Sequence, residues 1–265
     1  MFLGLLNKQP VLDEASSLWM FDTFAWALRN LDATVFFHET PLVTPSNEHF
    51  PGSVNSPHGM AALIFERVQQ YAGVQHWPCR VVDETQGNAE PVAQLPFQDA
   101  QRGVKTGLPR VEGEALKVFY HPDQLRDPQV LIAHYAHTLA HYLGSQAGEA
   151  PPGGMENWPH VTELLAVFLG FGLMMANTAF TQKIRSCSSC SGPAVERSNF
   201  LSQYDVTYAL AIFAAAKGIP TQHVLAHLKK TLRPFYKKAA KEVAAKSDEL
   251  QRLLAYRDAV PGLKA

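Results

Sequence analysis

The chain has 265 residues, of which 46% are hydrophobic and 18% charged, and its formal net charge at pH 7 is −1. This composition predicts a folded protein with one substantial core, or two small cores that share an interface, and it excludes a chain that is disordered throughout. Residues 1–6 are apolar but too few for a signal segment, and no basic residue precedes them, so we predict no secretion signal. Three cysteines do not suggest a disulfide framework, which favours a cytoplasmic protein.

The first part of the chain predicts a mixture of helices and strands. Apolar residues at helical spacing predict helices over residues 14–31 and 57–71. Residues that are β-branched or aromatic predict strands over residues 34–43 and 80–83. Residues 86–113 contain several Gly and Pro residues and are predicted to be the least regular part of the chain.

The next part predicts a strand followed by two helices. The strand covers residues 116–120 and leads into a helix that contains three histidines. A segment rich in Gly and Pro, residues 146–154, cannot continue this helix. The second helix begins near Asn157 and includes an uninterrupted run of 13 apolar or Gly residues, 164–176. This run is too short to span a bilayer and predicts a helix buried in the core.

The last part is predicted to be helical over residues 200–216, which are apolar, and 221–254, which are polar. The order of elements predicts an α+β fold, in which an N-terminal mixed sheet with helices precedes a mainly helical C-terminal half. We interpret residues 1–265 as a single domain. A subdivision into an α/β part (1–125) and a helical part (126–265) stays open.

Three histidines at spacings of three and four residues stand out in the segment 134–141. On a helix, His134, His137 and His141 lie on one face. His137 and His141 match the two zinc-binding histidines of the metallopeptidase motif H-E-x-x-H, because one helical turn between ligands lets both rings reach one ion. Thr138 stands where the motif carries its glutamate, the general base that takes a proton from the zinc-bound water.

A third ligand is predicted on the following helix. Glu163 lies 22 positions after His141, and a carboxylate in apolar surroundings needs a partner such as a metal ion. Glu156 and His160 precede it on roughly the same helical face. Either could replace Glu163 as a metal ligand, or could hydrogen-bond to a ligand and hold it in position.

These residues resemble the zincin metallopeptidases of the gluzincin kind, which use H-E-x-x-H and a glutamate on a later helix. The likeness runs from the strand at 116–120 through Leu125-Arg126-Asp127-Pro128 to Thr162-Glu163-Leu164-Leu165-Ala166-Val167-Phe168. This stretch of the chain is similar to that of bacterial zincin-like proteins in which an intact H-E-x-x-H motif precedes a helix of this sequence type. The resemblance implies a zincin-like fold and Zn2+ held by His137, His141 and Glu163, with water in the fourth position.

The threonine at position 138 decides which activity the resemblance implies. Thr138 cannot act as a base near neutral pH, so we favour a degenerate metallopeptidase, a pseudoenzyme with a structural role or a protein or peptide partner. The alternative is an active zinc-dependent peptide hydrolase in which His134, Glu156 or His160 supplies the base. Since a gluzincin has no ligand at the position of His134, we interpret that residue as a packing residue or a support for the ligands.

Two further features give weaker predictions. Cys187 and Cys190 have C-x-x-C spacing but lack further nearby cysteines, so we interpret them as a loop without chemistry, with a partial zinc clip as the alternative. Residues 229–246 contain seven Lys or Arg and one Glu, which is the pattern of a solvated face. The alternative for this stretch is binding of nucleic acid or an anionic surface, although no aromatic platform accompanies it and nucleic acid is not the partner we expect.

Overall fold

A computed structural model gives the structure of the protein, and it describes residues 10–86, 95, 101–103, 115–185 and 200–260. Within these residues the chain forms ten α-helices and a two-stranded sheet. The first elements are α1 (Glu14–Asn30), α2 (Ala33–His38), α3 (Pro57–Tyr71), β1 (Cys79–Asp83) and β2 (Leu116–Tyr120). The remaining helices are α4 (Pro128–Gly144), α5 (Trp158–Ala166), α6 (Gly172–Arg185), α7 (Gln203–Ala216), α8 (Thr221–His227), α9 (Arg233–Ala245) and α10 (Ser247–Asp258).

The two strands pair in parallel, with Cys79 opposite Leu116 and Asp83 opposite Tyr120. The strands predicted over residues 80–83 and 116–120 are therefore confirmed, and the fold is α+β with helices predominating. The described strands form a purely parallel pair and not the mixed sheet that we expected. A parallel pair needs a long connection between its strands, and the chain supplies one because more than thirty residues separate β1 from β2.

The strand predicted over residues 34–43 is wrong, because Ala33–His38 forms α2. Asp32 adopts a φ of 67°, and its side chain accepts hydrogen bonds from two backbone N–H groups of the first helical turn. This cap starts a helix in a stretch whose β-branched and aromatic residues favour a strand. Phe36 is buried and stacks on Phe168 with ring centroids 4.4 Å apart, so tertiary packing overrides the local preference.

A kinked apolar helix runs through the centre of the fold. A turn of π-helical type at Val167–Phe171 joins α5 to α6, and all five of its residues are buried, which confirms the predicted buried run. Within the described residues, the helical stretch Met155–Ala179 is long and apolar enough to cross a membrane, with a mean hydropathy of 1.5. The whole of its apolar window is nevertheless buried inside the fold, where α1, α4 and α7 pack against it.

Gly170 produces the kink. Its φ of 96° and ψ of 0° lie in the left-handed region, and a Cβ at this position would collide with the backbone carbonyl oxygen of Pro41. The carbonyl oxygen of Gly170 accepts a hydrogen bond from Val43 N at 3.0 Å. The segment after α2 therefore docks directly on the turn between α5 and α6.

The polar helical stretch predicted over residues 221–254 is divided into three helices. Leu228 adopts an extended conformation and ends α8, and Pro234 lies in the first turn of α9. Proline suits this position because its φ is already helical and its missing N–H is not needed there. Lys246, with a ψ of 61°, separates α9 from α10.

Gly170→Ala tests whether the kink is required. We expect the variant to lose about 2–4 kcal/mol of the free energy of unfolding, because alanine is strained at this φ and its methyl group would displace the Pro41 backbone. The measurement is chemical denaturation followed by circular dichroism.

Gly148→Ala is the matched control, because a Cβ at this exposed glycine meets no atom within 4 Å. Its stability should stay within about 0.5 kcal/mol of the parent. Equal stability of the two variants would show that the kink adapts to a side chain.

Candidate functional site

Helix α4 carries the three histidines of the motif. Asp127 caps its N-terminus by accepting a hydrogen bond from Gln129 N at 3.1 Å, and Pro128 is its first residue. Its far end at Gly144 lies against Trp158 and Leu165 of α5. The glycine is needed here because a Cβ would push into both side chains. The helix predicted from the sequence is thus confirmed, and it packs closely on the helix that carries Glu163.

His134 and Thr138 each hydrogen-bond to a backbone carbonyl oxygen. The Nε2 atom of His134 is 2.9 Å from the carbonyl oxygen of Phe119 in β2, so the ring ties α4 to the sheet. The hydroxyl of Thr138 donates a hydrogen bond of 3.0 Å to the carbonyl oxygen of His134, one turn earlier in the same helix. This bond fixes the direction of the hydroxyl, and a neutral threonine hydroxyl is not a base near neutral pH.

His141 is held by a tryptophan of the next helix. The Nε1 atom of Trp158 lies 3.1 Å from the Nδ1 atom of His141, and an indole nitrogen can only donate. Nδ1 is therefore the acceptor, which leaves the proton of the neutral ring on Nε2. Burial lowers the pKa of His141 and so favours this neutral form. A metal ion needs a lone pair on a ring nitrogen, and in this arrangement the Trp158 hydrogen bond uses the one that His141 has.

Glu163 is buried and bonded to the backbone. Its side chain is 1% exposed. One carboxylate oxygen accepts a hydrogen bond from Phe200 N at 3.1 Å, and the other accepts one from Leu201 N at 2.9 Å. These residues directly precede Ser202, the N-cap of α7. The carboxylate of α5 therefore fixes the entry of the chain into α7.

The other two candidates for a catalytic base lie in different surroundings. The His160 ring makes edge contacts with Trp19 and Phe200, with centroids 6.4 and 5.4 Å away, and its Nδ1 atom is buried without a hydrogen-bond partner. Glu156 is exposed in the short 3-10 turn before α5. His137 is half-buried, one turn before His141 on α4.

Two of the three zinc ligands implied by the resemblance, His141 and Glu163, hydrogen-bond to protein groups in this structure. Among the described residues, no three His, Cys, Asp or Glu side chains form a group that could hold a metal ion. His141 is engaged by Trp158, and both oxygens of Glu163 accept backbone hydrogen bonds. Zinc held by His137, His141 and Glu163 would require Trp158 to turn away and Glu163 to reorient.

The remaining sequence predictions concern cysteines and the basic stretch. Cys187 and Cys190 lie outside the described residues. Cys79, in β1, is half-buried, and burial raises the pKa of its thiol to about 12, which keeps it protonated. The basic stretch at 229–246 coincides largely with α9, which buries Tyr236 and exposes several lysines.

Sequence reasoning did not identify the partners of His141 and Glu163. Nothing in the sequence links Trp158 to His141, because the contact depends on how α5 packs on α4. One sequence feature does mark the segment that Glu163 contacts. Ser202 and Asp205 form a capping box that marks the start of α7, the segment that Glu163 anchors.

Comparison of the chain with protein-family models, with curated proteins and with solved structures found no match in any of the three.

Glu163→Gln tests the anchoring role of the carboxylate. A glutamine has one oxygen and one NH2 group at its end, so it can accept from only one of the two backbone N–H groups and confronts the other with a donor. We expect a loss of about 1.5–3 kcal/mol in the free energy of unfolding. Hydrogen exchange at the amides of Phe200 and Leu201 should become faster.

Glu156→Gln is the control, because this nearby carboxylate is exposed and its loss should leave both measurements unchanged. The experiment is repeated with EDTA. If the destabilisation by Glu163→Gln appears only without the chelator, Glu163 acts through a metal ion and the anchoring explanation is wrong.

Proposed function

We propose that the chain is a degenerate zincin-like protein that acts through its structure or through a protein or peptide partner, and not through peptide hydrolysis. The observation that carries this proposal is the bonding of Glu163. The residue that would be the third zinc ligand of a gluzincin instead anchors the start of α7 with both carboxylate oxygens. A buried carboxylate that accepts two backbone hydrogen bonds is stable without a metal ion.

The chemistry of the motif helix supports the loss of hydrolysis. Thr138 replaces the glutamate of the motif, and its hydroxyl is bound to the carbonyl oxygen of His134. His134 is itself bound to Phe119 through Nε2. Thr138 therefore supplies no carboxylate, and the Nε2 atom of His134 is occupied by a contact that ties α4 to β2.

The surface beside Glu163 supports a role in binding. Phe200 and Tyr204 are 49% and 46% exposed, although both are large hydrophobic side chains. Phe200 contacts His160, and Tyr204 contacts Phe235 with ring centroids 4.9 Å apart. Exposed aromatic side chains beside a fixed backbone are typical of surfaces that bind proteins or peptides.

A zinc-dependent hydrolase is the alternative, and one experiment separates it from the proposal. Wild type and Thr138→Glu are assayed for cleavage of a mixed peptide library, and the zinc content of both is measured. We expect no zinc-dependent cleavage by wild type, because a general base is typically worth about a hundred- to ten-thousand-fold in rate. Thr138→Glu should fold, since glutamate suits a helix at least as well as threonine.

Thr34→Glu is the control, because it adds the same carboxylate at an exposed position in the first turn of α2. Cleavage by Thr138→Glu alone would support an ancestral peptidase site on α4. Zinc-dependent cleavage by wild type that is lost in His137→Ala would contradict the proposal and assign the base to another residue.

The basic helix carries a second candidate function. Helix α9 buries Tyr236 while Lys237, Lys238 and Lys241 are exposed, which gives it a positive surface that could bind phosphate groups of an anionic surface. If it does, changing these three lysines to Gln should abolish binding to anionic vesicles, and added salt should weaken binding by wild type. No binding by wild type at low salt would eliminate this function.

A further inference from the structure

A second pair of histidines four positions apart lies on α8. The ring centroids of His223 and His227 are 5.8 Å apart, and the ring planes meet at 69°. Two imidazole nitrogens bonded to one tetrahedral ion at about 2.1 Å place their ring centroids about 5 Å apart. The observed centroid separation of 5.8 Å is within about 1 Å of this value.

The pair is accessible, and its backbone is fixed. His223 is exposed and His227 is half-buried. The side chain of Asn177, on α6, donates a hydrogen bond of 3.0 Å to the carbonyl oxygen of His227 and accepts one of 2.9 Å from Lys229 N. An ion that binds here would have to order only two side chains, because the end of the helix is already held.

The surroundings of the pair contain groups that favour and oppose a cation. The pKa of His49, in the segment before α3, is lowered first by burial and to a smaller extent by His223 and His227, while Glu48 raises it. Neutral imidazoles are the form that binds metals. The exposed Lys229 next to α8 opposes a cation by charge repulsion and limits its affinity.

We propose that His223 and His227 form a two-imidazole site for a divalent transition metal such as Zn2+ or Ni2+, with water in the remaining positions. The two imidazoles would occupy two positions around the ion, and water would complete its coordination. Imidazole pairs of this kind select borderline ions of the later first-row series over Mg2+ or Ca2+. The site is independent of α4 and of the function proposed for the chain.

The test is a calorimetric titration of the metal-free protein with ZnCl2 near neutral pH. Two double variants are compared with wild type. The α8 double variant is His223→Ala/His227→Ala, and the α4 double variant is His137→Ala/His141→Ala. The control is His38→Ala, which changes an exposed histidine of α2. We expect the α8 double variant to bind zinc roughly tenfold or more weakly than wild type. The α4 double variant and the control should bind zinc as wild type does.

A single variant, His223→Ala, repeats the measurement at an exposed position where the fold is not at risk, and it should show the same loss. Zinc binding by the α8 variants equal to that of wild type, or no zinc binding by wild type, would overturn the proposal. Loss of binding in the α4 double variant alone would also overturn it and would favour the zinc site implied by the resemblance. Comparison of the two double variants therefore distinguishes a zinc site on α8 from one on α4.

Discussion

The left-handed backbone at Gly170 is the constraint on which the arrangement of the other helices depends. It bends the central helix between α5 and α6, so that the two halves carry their polar residues to different parts of the fold. Glu163 on α5 holds the start of α7, and Asn177 on α6 holds the end of α8. The same bend receives the segment after α2 through the hydrogen bond from Val43 N to Gly170 O. One glycine therefore fixes the relation between the N-terminal segment and the helices of the second half.

Two of the buried polar residues of this apolar helix, Glu163 and Asn177, have similar roles. Glu163 and Asn177 are 1% and 3% exposed, and each binds backbone groups at a helix end. Burying a carboxylate or an amide is costly unless its hydrogen bonds are satisfied, and a helix end offers backbone groups that lack partners within the helix. A buried carboxylate such as that of Glu163 needs polar partners. In this fold the backbone N–H groups of Phe200 and Leu201 supply two of these partners.

Periodicity and composition predicted the elements that local sequence determines. The helices α1, α3 and α4 and the two strands follow from the spacing of apolar residues and from β-branched content. Helix α2 could not be predicted in this way, because it depends on the unusual conformation of Asp32 and on the stacking of Phe36 against Phe168. The hydrogen bond from Trp158 to His141 was likewise out of reach, since it arises only when α5 packs on α4. The sequence left open the contacts between elements, and also α2, whose helical form depends on such a contact.

The two H-x-x-x-H pairs show why spacing alone does not define a metal ligand. His137 and His141 lie on a helix packed against α5, where an indole N–H uses the lone pair of one ring. His223 and His227 have the same spacing on a short helix at the surface, where the rings make an edge contact and the backbone is held by Asn177. A ligand must offer a free lone pair at a reachable point, and helical spacing supplies only the second condition. Packing decides the first, and it is why we propose the metal site on α8 although the pair on α4 is the one that matches a known motif.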